Sequence, residues 1–292
     1  MNNLYLTCPR GLEEVTRSDI ARHINGDILI EQGGIKFTGD IRTVYTVNLY
    51  SRTGMYLLLR TAQAKVSNYN QIYEFFSSQR WDRIIKTSQT FAIRARVMSD
   101  NFSNTNLCTL KAKDGIVDQI KSKKGIRPSI NKKSPDISIF IFIKGDSIKV
   151  YLNTSGDPLF KRGYRSKIHK ASMNEALAAG IVLLSGWNSN YAFYDPMCGS
   201  GTIPIEAALI AKNIPPGLYR KAFGFENWND FDQDIWKSII KNSRESIISK
   251  RPSIFGSDII KKNIELSIKS AKSIGLGRDI SFSEADIKSF NP

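Results

Sequence analysis

The sequence predicts an α/β chain: an α+β amino-terminal region followed by a doubly wound parallel sheet. Three observations point there. Residues up to about 155 mix helices with hairpins, whereas from residue 171 onward strands alternate with helices. Between the two lies Gly156–Lys170, a stretch with turn residues, no hydrophobic period and many cations, which reads as a linker. The apolar run Tyr191–Asp195 passes through a glycine-rich turn into a new helix, the signature of a ligand loop at the carboxyl end of a strand.

Taken in order, Leu4–Thr7 is a short apolar strand, and Leu12, Val15 and Ile20 give Gly11–His23 helical spacing. Ile28–Ile30 and Gly34–Thr38 form a hairpin about Gln32-Gly33, Ile41–Leu49 a helix, and Met55–Gln63 a strand. Asn70–Phe76 begins a helix. Thr90–Val97 alternates Phe91, Ile93, Ala95 and Val97, as a half-buried strand does. Asn106–Lys123 is helical, and Asp136–Lys144 with Ser147–Asn153 is a second hairpin. Past the linker come helix Ala171–Trp187, strand Tyr191–Asp195, helix Ile203–Lys212, strand Ile254–Asp258, helix Ile259–Ile274 and strand Ile280–Asp286. The divisions are therefore 1–55, 56–155, linker 156–170 and 171–292. Asn213–Ser253 is long for a strand–helix connection. Its Trp228, Phe231 and Trp236 read more readily as a local core than as a stacking platform.

The 292 residues carry a formal net charge of +15. Residues 1–155 hold 23 Lys+Arg against 13 Asp+Glu, and 156–292 hold 19 against 14, so the excess lies toward the amino-terminal half. Such a chain is drawn to polyanions by counterion release. No basic amphipathic helix favours a membrane surface. No apolar run nears the ~20 residues that span a bilayer, and no secretory signal opens the chain; a cytoplasmic location is expected. Cys8, Cys108 and Cys198 form no C-x-x-C pair, and with two histidines they suggest reduced thiols and no metal site.

Asp195-Pro-Met-Cys-Gly-Ser-Gly-Thr202 is the most informative segment. Gly199 and Gly201 permit a tight turn and close approach of backbone to ligand, and Pro204 suits a first helical turn. No lysine makes it a phosphate loop, and the third glycine of a dinucleotide fingerprint is absent. A cofactor without a pyrophosphate is required, and S-adenosylmethionine fits, with Asp195 or a neighbour toward its amino group. Pro196, Cys198 and Thr202 complete the loop. Asp258 ends the next strand, where an acid accepts from ribose hydroxyls. Asp286 ends the third, as an acceptor for the adenine amino group. Singly each acid reads as a helix cap; three strand-end acids in register read as a cofactor seat.

With these residues assembled, the chain resembles the THUMP-containing class I RNA methyltransferases, and most of all the bacterial large-subunit rRNA guanine-N2 methyltransferases. The resemblance runs through Asp195–Ala208, Asp157-Pro-Leu-Phe-Lys-Arg-Gly-Tyr-Arg165, His169-Lys-Ala-Ser-Met-Asn-Glu-Ala-Leu-Ala-Ala179 and Phe223-Gly-Phe-Glu-Asn-Trp228 with Phe231-Asp. It implies a ferredoxin-like unit, a THUMP domain and a Rossmann-like catalytic domain, and methyl transfer to guanine N2. It implies an RNA contact near Lys111, Lys113, Lys121, Lys123, Lys124, Arg127, Lys132 and Lys133. The linker cations Lys161, Arg162, Arg165 and Lys167 form a second patch; for Arg165, close to the catalytic domain, closing the cofactor pocket is the alternative role. Amino-methyltransferases orient the amine with an Asn/Asp-Pro-Pro-aromatic motif; Ser289-Phe290-Asn291-Pro292 looks like its start, which makes Asn291 and Pro292 the catalytic candidates. On that reading the catalytic domain is incomplete, the chain is truncated, and it turns over negligibly alone. A tRNA guanine-N2 methyltransferase and a non-catalytic RNA-binding protein are the competing readings.

Overall fold

The computed structural model describes residues 1–165 and 173–289. The chain opens with β1 (Asn2–Thr7), α1 (Glu13–Ile20), β2 (Leu29–Glu31), β3 (Gly34–Gly39), α2 (Ile41–Tyr50) and β4 (Tyr56–Lys65). Asp40 starts α2 by accepting from the Thr43 N–H at 2.7 Å, which fills one of the vacant donors of a first turn. There follow α3 (Tyr69–Ser78), the short α4 (Trp81–Ile84), β5 (Thr90–Met98), α5 (Thr105–Lys124), β6 (Ser129–Ile130), β7 (Ile137–Lys144) and β8 (Ser147–Asn153). Asn104 caps α5, and Gly125 closes it in the left-handed conformation at φ 73°.

One eight-stranded sheet runs through both units in the order β2-β3-β1-β4-β8-β7-β5-β6. β4 makes it continuous. It pairs antiparallel with β1 from Tyr56 to Arg60 and with β8 from Leu58 to Lys65. The expected division at residues 55 and 56 falls just before β4, the strand that both sides share. Two cores lie on this sheet. One gathers Leu4, Leu6, Phe37, Tyr45 and Leu57; the other gathers Phe76, Trp81, Phe91, Ile116 and Ile139.

The carboxyl-terminal part contains α6 (Glu175–Leu184), β9 (Phe193–Asp195), α7 (Thr202–Ala211), α8 (Gln233–Glu245), β10 (Ile254–Asp258), α9 (Lys261–Ser273) and β11 (Ile280–Glu284). Its sheet is parallel, in the order β11-β10-β9, and Ile205, Leu209, Ile254, Ala271 and Ile280 form its core. The register corrects one expectation. Asp195 lies opposite Gly256 and Asp258 opposite Glu284, so the three acids are not aligned, and Asp286 stands two residues beyond its strand.

Residues 213–253 pack back on the amino-terminal unit. Phe225, Phe231 and Trp236 surround Tyr45, with ring centroids 4.4 Å apart for Tyr45–Phe225 and 5.9 Å for Tyr45–Trp236, and Phe223 stacks behind on Phe225. Tyr45 Oη also accepts from the Asp232 N–H at 2.9 Å. The aromatics of this insertion are core, and they weld the catalytic part to α2. No helix among the described residues is long and apolar enough to cross a membrane.

Candidate cofactor site

β9 ends at Asp195, and the chain turns through Gly199 (φ 54°) and Gly201 (φ 75°) into α7. The turn is fastened on both sides. The Cys198 N–H donates to the Ser257 carbonyl at 2.8 Å, and the Gly199 N–H donates to Asp258 Oδ2 at 2.9 Å. Ser267 Oγ, on α9, donates to the Gly199 carbonyl at 3.0 Å. Asp258 Oδ1 accepts from the Ile260 N–H and from Asn263 Nδ2. Asp258 is therefore both the cap that turns β10 into α9 and the anchor of the neighbouring loop. The Ala285 N–H donates to the Asp258 carbonyl at 3.2 Å and ties the third loop to the second.

The two loop glycines differ. A Cβ on Gly201 would lie 2.8 Å from the Ser267 side chain and 3.1 Å from the Phe282 ring, so this glycine serves packing. A Cβ on Gly199 would meet nothing within 4 Å, so this one faces open space. Gly201 occupies the N-cap of α7 without a side-chain cap among the described residues, so that the Thr202 and Ile203 amides suit an anionic group.

Burial raises the Asp195 carboxyl above its usual value, and the Asp258 charge adds to the effect. A cationic group beside the pair relieves that repulsion. Burial pushes the Cys198 thiol up to about 12; it lies beneath the loop and is no nucleophile at neutral pH. Pro196 is half-buried, and its carbonyl accepts from Ser257 Oγ at 3.4 Å. Asp286 is exposed, and its Oδ1 accepts from the Lys288 N–H at 3.0 Å. Asn291, Pro292 and Lys167 lie outside the described residues.

Arg165 reaches this loop from the linker. Its Nη2 donates to Thr202 Oγ1 at 2.5 Å and to the Met173 carbonyl, and its Nε lies 3.4 Å from Glu175 Oε1. It is a brace for the start of α7, not an exposed phosphate contact. Arg162 requires the same correction. Its side chain is 1% exposed and lies 3.6 Å from Glu206, itself 0% exposed. Its guanidinium donates to the carbonyls of Leu159 and Arg52. No RNA reaches it. The α5 lysines divide: Lys113 pairs with Asp114 at 2.7 Å and Lys111 bonds Asn70, while Lys121, Lys123, Lys124 and Arg127 are exposed around the helix end.

Sequence reasoning missed Asn263 and Ser267, which stand one turn apart on the face of α9 toward the loop. Their i, i+4 spacing after Asp258 was the available signal. It also missed Arg220, which donates to the carbonyls of Ser155, Asp157, Pro158 and Lys161 and so folds the linker; no local pattern marks it.

A glycine turn fastened to the acid of the next parallel strand, at the start of a helix, is the place where open α/β sheets bind ligands. Residues 162–292 match the RMKL-like methyltransferase domain, residues 66–153 the THUMP domain, and residues 3–55 the RlmL ferredoxin-like domain. The chain belongs to this family of THUMP-containing methyltransferases. A structure of a possible methylase from Clostridium difficile 630 is 30% identical, with TM-score 0.89, covering 100% of this chain and 77% of that one. SMU.472, assigned as a methyltransferase and solved in complex with SAH, is 27% identical with TM-score 0.89 and the same coverage. A Listeria monocytogenes protein predicted to be an N6-adenine-specific DNA methylase is 28% identical, with TM-score 0.90, covering 100% and 76%. The cofactor is S-adenosylmethionine.

Proposed function

We propose that the protein methylates guanine N2 in RNA, that its substrate is large-subunit ribosomal RNA, and that it works in the cytoplasm. The observation that carries the reading is the junction of the parts: a cofactor loop anchored on Asp258, a ferredoxin-like unit whose Tyr45 packs on Trp236 of the catalytic part, and a THUMP unit that shares one sheet with that ferredoxin-like unit. The choice of guanine N2 and of ribosomal RNA is supported by the resemblance of Asp157–Arg165, Asp195–Ala208 and Phe223–Trp228 to the guanine-N2 enzymes.

The open side of Gly199, the uncapped α7 amides and the Asp195–Asp258 pair fit an adenosylated amino acid. Asp195 would hold its ammonium, the α7 amides its carboxylate, Asp258 its ribose and Asp286 its adenine. The cofactor supplies an electrophilic methyl group. The chain's own task is to seat the guanine amino group in line with it, and Asn291 is the candidate acceptor for that N–H. Arg165 holds the α7 start in place.

Nucleoside mass spectrometry of RNA and DNA from cells with and without the gene tests this. The reading expects N2-methylguanosine to fall in 23S rRNA. A fall confined to tRNA would make it a tRNA enzyme, and a fall in N6-methyladenine of DNA would overturn it.

A further inference from the structure

A groove of about 670 Å³ opens where the THUMP unit, the linker and the insertion before α8 meet. Arg94 of β5, Lys133 in the loop before β7, Lys161 and Lys221 are among its lining. Three carboxylates share the lining, and each is engaged. Asp136 accepts from the Thr90 N–H and hydroxyl at 2.7 Å, Asp157 pairs with Lys161 at 3.1 Å, and Glu175 pairs with Arg165 at 3.4 Å. Arg94, Lys133 and Lys221 are exposed, and among the described residues none has an acidic partner within salt-bridge distance.

Phe160 lies in the same lining. Its neighbour Leu159 is 1% exposed in the amino-terminal core, whereas the Phe160 ring is only half-buried. Unpaired cations beside a partly open aromatic ring are the chemistry that holds a single strand of nucleic acid, phosphates on one and bases on the other. The volume is that of a small-ligand pocket, which suits a short stretch of single strand. Arg165, in its lining, also bonds Thr202 at the start of α7.

We propose that a single-stranded segment of the substrate RNA lies in this groove, with phosphates on Arg94, Lys133 and Lys221 and a base stacked on Phe160. The proposal rests on the RNA-methyltransferase reading and adds the path the strand takes between the THUMP unit and the cofactor loop. It places the strand against residues that the α5 lysine cluster did not include, apart from Lys133.

Fluorescence anisotropy with a labelled single-stranded RNA, measured on the full chain across a salt series, tests it. The variants are K133E/K221E, Phe160→Ala, and a control, K269E/K272E, in the last turns of α9. The groove double variant is expected to weaken binding at least tenfold and to lower the salt slope by about 1.4, two contacts at roughly 0.7 each for a single strand. Phe160→Ala is expected to weaken binding about fivefold or more without changing the slope. The control changes affinity less than threefold, and all variants bind adenosylhomocysteine as the parent does, which shows them folded. Parent-like RNA affinity in both groove variants would overturn the proposal while leaving the RNA reading intact. A parent protein with no affinity for RNA would overturn both.

Discussion

Replacing Arg162 by methionine leaves Glu206 in the interior with its cation gone. Both side chains are essentially inaccessible, at 1% and 0%. Glu206 Oε1 keeps the Tyr164 hydroxyl at 3.0 Å, whereas Oε2 has no hydrogen-bond partner among the described residues even in the parent. Removing one member of such a pair costs about 3–5 kcal/mol, most of it the uncompensated charge. The carbonyls of Leu159 and Arg52 lose a donor as well. Burial already raises the Glu206 carboxyl, and Arg162 is the main influence holding it down. In R162M its folded value rises further above the unfolded one. The sign of the linkage follows: the folded state then binds the extra proton, so stability is greatest at low pH and is lost as pH rises through the folded value. Urea unfolding of R162M is expected to show a smaller deficit at pH 5 than at pH 8. R162M/E206Q, which keeps an acceptor for Tyr164, is expected to recover about 1–3 kcal/mol of the loss. A deficit that does not vary with pH, together with a double variant no better than the single, would refute the reasoning.

The two glycines of the cofactor loop separate packing from ligand. Gly201→Ala adds a left-handed penalty of about 1–2 kcal/mol to crowding worth about 1–3 kcal/mol, read by unfolding. Gly199→Ala carries only the first cost, but its new methyl enters the open side of the loop, and calorimetry should show adenosylhomocysteine affinity falling at least tenfold. Because burial and Asp258 raise the Asp195 carboxyl, adenosylhomocysteine affinity should fall on acidification, beginning above the ordinary carboxylate range; Asp195→Asn should weaken binding at neutral pH and flatten that profile. His23 is held down to about 4 by burial and by Arg22 and Arg52. The unfolded chain therefore binds the extra proton between about pH 6.5 and pH 4. His23 thus contributes stability above that window that is lost through it on acidification, and His23→Gln should reduce the slope of a pH–stability curve there.

What could be read in advance was local. The turn at Gly199 and Gly201 announces itself because backbone conformation and strand-to-helix passage are encoded within a few residues. The alternation in β5 likewise gave a strand before any fold was considered. The roles of Arg162 and Arg165 were not legible, since what decides between a surface cation and a buried one is a partner far along the chain. Glu206 is 44 positions from Arg162, and nothing around either residue names the other. Trp236 could be assigned to a core by its type, but its packing on Tyr45, across the domain order, depends on where α2 is placed. The strand shared between the first two units is likewise invisible in a segment that reads simply as β4, because pairing is a property of the sheet. Asp286 was placed at a strand end because apolar character persists toward it, whereas the ladder with β10 stops at Glu284.

The central claim is that the loop fastened to Asp258 drives guanine methylation in large-subunit ribosomal RNA. Cells lacking the gene can be given back the whole gene, either unaltered or carrying Asp258→Ala, and the N2-methylguanosine of their 23S rRNA measured by mass spectrometry at matched protein levels. The account predicts that the parent restores the nucleoside and the variant does not. Restoration to the same level by Asp258→Ala would contradict it.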